Sequence, residues 1–132
     1  MNGRTDAASR FALVIGVLLL IEGIWGHFSH VVFGVLTTNP THAAIHILLG
    51  LIGIYTGLKG GARQYCLFLG GLLLVVGVLR FVPGVGSMIV SILNVNEAVA
   101  IVNIVVGAIA LMIGLRSASG GGPVPESRPS DA

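Results

Sequence analysis

The 132-residue sequence predicts an all-α membrane protein in which four transmembrane helices form two duplicated hairpins. Three observations carry this reading. Charged residues make up only 9% of the chain, where soluble domains carry about 25%, and mean hydropathy is +0.99. Long apolar runs recur four times. The second pair of runs aligns with the first.

Between Phe11 and Leu115 the only charged side chains are Glu22, Lys59, Arg63, Arg80 and Glu97. That scarcity excludes a soluble enzyme and a disordered charged module. The net charge of +2 is spread over the ends of the apolar runs, with no patch that tracks phosphates, so nucleic acid is excluded as a partner. The single cysteine, Cys66, has no internal partner for a disulfide and reads as a small packing residue.

The first run, FALVIGVLLLIEGIWGHF, is longer than a signal-peptide core and is read as a retained span. The other spans fall at about 41–58, 65–82 and 98–115. At 1.5 Å per residue each covers roughly 25–30 Å, close to the hydrocarbon thickness. Residues 1–10 are expected to form a cytoplasmic N-terminal segment and 11–116 the transmembrane domain, with halves at about 11–58 and 65–115. The segment 117–132, rich in Gly, Pro and Ser, is expected to be a disordered cytoplasmic tail. Basic residues stay on the cytoplasmic side. Arg4, Arg10, Lys59, Arg63, Arg116 and Arg128 lie at one end of the spans and only Arg80 toward the other, so both termini are expected to be cytoplasmic in a bacterial inner membrane.

Aligning the runs places Gly16 on Gly70 and Gly23 on Gly77, an offset of 54 residues. Downstream, Asn39 meets Asn96, His46 meets Asn103 and Gly50 meets Gly107, an offset of 57. The change implies a three-residue insertion near Pro83 and a parallel repeat about an axis along the membrane normal. Each half also carries an apolar stretch too short to span, HVVFGVL and SMIVSIL, expected to form short interfacial helices or re-entrant turns on the outer side. Asn39 and Asn96 read as N-cap residues, with Pro40 at the first helical position and Glu97 in a first turn, where a carboxylate suits the helix dipole.

Helical spacing puts His42, His46, Gly50, Gly53 and Gly57 on one stripe of the second span, and Asn103, Gly107 and Gly114 on one stripe of the fourth. Gly16 and Gly23 mark a matching face on the first span, Gly70 and Gly77 on the third. Small residues let backbones approach where lipid supplies no hydrophobic drive. Glu22 is an acid inside an apolar run and therefore a candidate functional group. Its height along the helix matches that of His46 and Asn103, and Arg80 stands one turn beyond its repeat counterpart Val76. These four residues, Glu22, His46, Arg80 and Asn103, are expected to form an intramembrane polar layer.

The segment NPTHAAIHILLG, residues 39–50, with Tyr65 and the glycines of the third span, resembles a bacterial family of small four-helix membrane proteins catalogued as a domain of unknown function. The resemblance covers roughly 11–115 and departs from the family pattern at Thr38 and at Asn103, where a histidine is expected. It implies fold and location and carries no chemistry.

Three functional readings follow from the residues. The first is a noncatalytic membrane protein, an accessory subunit of a larger complex or a self-associating bundle, because no nucleophile, carboxylate pair or cofactor fingerprint is present. Its partners would be the bilayer and other membrane subunits or itself. The second is a proton-linked small-solute transporter using Glu22. The third uses His27, His30, His42 and His46, all toward the outer side, as ligands for a transition metal or haem. No cofactor is the leading expectation, since imidazoles also serve as interhelical hydrogen-bonding groups.

Overall fold

A computed structural model describes residues 6–119. Its elements in chain order are α1 (Ala7–Gly26), β1 (Val31–Val32), β2 (Leu36–Thr37), α2 (Pro40–Lys59), α3 (Ala62–Leu79), α4 (Val85–Leu93) and α5 (Glu97–Ser119). Four of these, α1, α2, α3 and α5, are long and apolar enough to cross a membrane. Together they mark a multi-pass membrane protein.

Local chemistry sets the helix boundaries. The Asp6 carboxylate accepts a hydrogen bond from the Ser9 backbone N–H at 2.7 Å, so α1 begins at Ala7. The helix thus takes in residues 7–10, part of the N-terminal segment expected from the sequence. A polar first turn costs nothing where it reaches beyond hydrocarbon, and the cap satisfies a donor that would otherwise be unpaired. Pro40 occupies the first turn of α2, and Lys59 lies in its last turn, next to the negative end of the helix dipole. Gly60 and Gly61, at φ of +115° and +96°, then turn the chain directly into α3. At the other end α5 runs to Ser119, so it includes the start of the segment expected to be disordered. The remainder of that tail lies outside the described residues.

The two short apolar stretches differ. In the second half SMIVSIL lies in a helix, α4, of which only Gly86 is buried. In the first half the equivalent stretch is an antiparallel hairpin pairing Val31 with Thr37 and Val32 with Leu36, which corrects the expectation of a helix there. Phe33 and Gly34 both have positive φ, +53° and +75°, which no α-helix accommodates. Gly34 permits that turn, whereas its counterpart at the 57-residue offset is Ser91, inside α4.

Helix α1 packs chiefly on α2, and α3 chiefly on α5. Glycines set the separation. A Cβ added at Gly16 would lie 2.8 Å from the Gly50 carbonyl oxygen, and one at Gly70 would lie 2.8 Å from that of Gly107. Likewise a Cβ at Gly23 would meet the Ala43 carbonyl oxygen at 2.7 Å, and one at Gly77 that of Ala100 at 2.8 Å. Gly57 lies against the Leu13 backbone and Gly114 against Leu67. Every one of these pairs maps onto its partner pair by the offsets of 54 and 57.

Between the hairpins, Ala8, Ala12, Leu19, Leu49, Tyr65, Cys66, Leu69 and Leu73 form the core. The Tyr65 hydroxyl donates to the Leu49 carbonyl oxygen at 2.9 Å and lies over Gly53, tying α3 to α2. Cys66 is fully buried against Ala8, in agreement with a packing role.

The close approach of the backbones gives a direct test. Gly50→Val places its Cβ 2.7 Å from the Gly16 carbonyl oxygen, and backbone cannot yield there. It is expected to destabilise the protein by about 3 kcal/mol in detergent unfolding. Gly71→Ala, where nothing lies within 4 Å of an added Cβ, should leave stability unchanged or slightly raised.

Candidate functional site

The site lies at the end of the bundle that carries the β-hairpin and α4, beneath a set of reciprocal hydrogen bonds between the two halves. Asn39 accepts from the His42 N–H at 2.8 Å and so caps α2. Its Nδ2 donates across the halves to the Ile92 carbonyl oxygen at 2.9 Å. Asn96 does the same in reverse: Oδ1 accepts from the Val99 N–H at 2.9 Å, and Nδ2 donates to the Val35 carbonyl oxygen at 2.8 Å. Residues 39 and 96, and 35 and 92, are each related by 57 positions. Three further bonds complete the clasp. Thr37 Oγ1 donates to the Asn94 carbonyl oxygen at 2.6 Å and accepts from the Asn96 N–H at 3.0 Å, and Asn94 Nδ2 donates to the Thr38 carbonyl oxygen at 2.8 Å.

Beneath the clasp, α1 presents Glu22, α2 presents His42 and His46, and α5 presents Asn103. His46 and Asn103 each lie six residues into their helices, counted from Pro40 and Glu97, so both sit about 9 Å from the helix start. Nδ1 of His46 lies 3.2 Å from Oε2 of Glu22. A single proton therefore serves both atoms. If the carboxyl is ionised, the imidazole N–H donates to it; if it is protonated, its O–H donates to the ring nitrogen. The Glu22 side chain is 20% exposed, and that of His46 only 11%.

His42 stacks edge-on against His46, with ring centroids 4.3 Å apart. It is buried, and its Nδ1 has no hydrogen-bond partner. Glu22, His42, His46 and Asn103 share a small cavity of about 20 Å³ with Thr37 and Thr38. Glu22, His46 and Asn103 also border a larger cavity of about 140 Å³ whose other walls are apolar, including Leu19, Leu73 and Val106.

Three of the four residues expected in the polar layer therefore come together, and Arg80 does not join them. It follows the last turn of α3, and its Nε donates to the Val95 carbonyl oxygen at 2.7 Å. Val95 lies in the non-helical link before α5, so its carbonyl has no helical partner and draws the guanidinium within its own half. The histidines also separate. His27 is exposed with Nδ1 against the Gly23 carbonyl oxygen at 2.9 Å, and His30 is exposed in the loop. Among the described residues no group of three or more His, Cys, Asp or Glu side chains could hold a metal ion.

Sequence reasoning identified Asn39 and Asn96 as caps but missed their second role, and it missed the bonds that Thr37 and Asn94 make beside them. A signal was present. Thr37 and Asn94 are related by the same 57-residue offset, and both stand in short Thr/Asn clusters, TTN and NVN, that have no reason to recur in lipid-facing sequence.

A family model described as Domain of unknown function (DUF4383) matches residues 9–116, in keeping with the resemblance carried by NPTHAAIHILLG. No curated protein and no solved structure matches the chain.

The clasp makes a paired expectation. Asn39→Ala and Asn96→Ala each remove one helix cap and one bond across the halves, so each is expected to lower stability by about 1–2 kcal/mol in detergent unfolding. Similar losses are expected for both, since the two side chains make equivalent bonds.

Proposed function

The chain belongs to the DUF4383 family, a domain of unknown function, and we propose that it is a noncatalytic, proton-linked small-solute membrane protein whose working group is the Glu22–His46 pair. The observation that carries this is the 3.2 Å contact of that pair beside a cavity between the hairpins. Ionisable side chains are expensive near hydrocarbon, and acid–histidine sets there commonly serve as proton relays. The cavity adds what a purely structural strap does not need, which is space next to the proton. His42 is the other titratable group facing the pair, from α2, while α3 and α5 face it with Leu73, Val102, Asn103 and Val106, which do not titrate.

The scaffold in this reading is a duplicated hairpin, supported by the matching glycine contacts and the reciprocal asparagine bonds. It sits in a bacterial inner membrane with both termini cytoplasmic, a placement supported by the basic residues at one end of the spans. Neither haem nor a transition metal enters the mechanism.

A second reading, an accessory subunit or self-associating bundle, is favoured by the apolar residues exposed outside the spans. Phe28 is 87% exposed, and Phe33 and Val35, in the turn of the hairpin, are 49% and 61% exposed.

Liposomes carrying a lumenal pH dye separate the two. With a panel of small cations, anions and neutral solutes, wild-type protein is expected to couple at least one class to a change in lumenal pH above that of empty liposomes. Glu22→Gln, which keeps shape and most hydrogen bonding, should fold and lose that coupling. A folded wild-type protein that moves no protons with any solute would contradict the transporter and leave the association reading.

A further inference from the structure

Resting on the proton-linked reading, we infer that the cavities beside Glu22 form a site for a small primary ammonium ion with a short apolar body, which binds in exchange for the proton held by Glu22 and His46. Three observations support this site. The smaller cavity, about 20 Å³, is bordered by Glu22, His42, His46 and Thr38. It is the size of a single water-like group, which an ammonium head matches. Its polar walls offer, together with the Asn103 amide, acceptors in a carboxylate, two threonine oxygens and an imidazole nitrogen.

That nitrogen is the second observation. His42 is 4% exposed, yet its Nδ1 has no partner. A buried polar atom left unpaired carries a cost of about 1–3 kcal/mol. As an acceptor it is satisfied by an N–H donor in the cavity it borders. The third observation is the shape beyond. The larger cavity shares Glu22, His46 and Asn103 with the smaller one and is otherwise lined by Ile15, Leu18, Leu73 and other apolar side chains. At about 140 Å³ it holds a body of a few carbon atoms. Leu18 and Val102 on its rim are 42% and 41% exposed, so it opens between α1 and α5 toward lipid, on the route an amphiphilic amine follows from the interface.

Charge explains the exchange. With Glu22 ionised and His46 protonated the pair is neutral, and a further cation meets no net attraction. When the shared proton leaves, the pair carries one negative charge, and an alkylammonium restores neutrality. One cation in is therefore one proton out.

The test uses full-length protein in lipid nanodiscs with n-propylammonium as the probe, at a series of pH values from acid to neutral. Wild type is expected to bind it in competition with protons, so that apparent affinity rises with pH, and with a raised unfolding temperature. Propyltrimethylammonium, which has charge but no N–H, and propanol, which has no charge, should bind at least tenfold more weakly. His42→Phe, which replaces the imidazole with a ring that has no hydrogen-bond acceptor, should weaken propylammonium at least tenfold. Val106→Phe, which fills the apolar cavity, should weaken propylammonium but not ammonium itself. Equal binding of the three probes, or unchanged binding in His42→Phe, would overturn the inference. So would a cavity occupied by water alone, seen as proton coupling in liposomes without any propylammonium binding, and that outcome would leave the proton-linked reading standing. Absence of both binding and coupling would remove the two together.

Discussion

The reciprocal bonds of Asn39 and Asn96 are the constraint on which the arrangement of this bundle depends. Within each hairpin, glycines bring backbones into contact and fix the helices by shape. Across the hairpins the packing is sparser, and lipid supplies no hydrophobic force to orient one half on the other. Directional bonds must do so. Each asparagine uses its oxygen to cap its own helix and its nitrogen to reach a carbonyl of the other half, so neither bond forms correctly unless the starts of α2 and α5 lie side by side. That placement brings His46 and Asn103 to one level and opens the cavities between them.

On this scaffold the chemistry is one-sided. Glu22 corresponds to Val76, His42 to Val99, and His46 to Asn103. The first half therefore supplies the acid and both imidazoles, and the second half supplies apolar walls and a single amide. The inequality fits a site that binds one small ligand better than a pair of equivalent sites. It also accounts for Arg80. In the second half the guanidinium serves the Val95 carbonyl, leaving Glu22 to its histidine.

Much of this was legible in the sequence for physical reasons. Hydrocarbon tolerates few charges, so the spans stood out, and glycines at helical spacing marked the contact faces because only a missing Cβ permits that approach. Glu22, His46 and Asn103 were grouped from height along a helix, which a constant rise per residue makes readable. Arg80 was misassigned because height says nothing about which carbonyl a long side chain finds. The stretch at Val31–Leu36 was misread because apolar composition does not distinguish a helix from a hairpin, and the deciding feature was the positive φ available at Gly34. The bonds across the halves were invisible to local reasoning, since they join residues more than 50 positions apart.

Solid-state NMR on bilayer-reconstituted protein tests the clasp most directly, by dipolar recoupling between the side-chain nitrogen of Asn39 and the carbonyl carbon of Ile92, and between that of Asn96 and Val35. The account requires both pairs to show the strong dephasing of a direct hydrogen bond, in the same sample and to a similar extent. Dephasing at only one pair, or at neither, would mean that the halves are not held by reciprocal amide bonds and would contradict it.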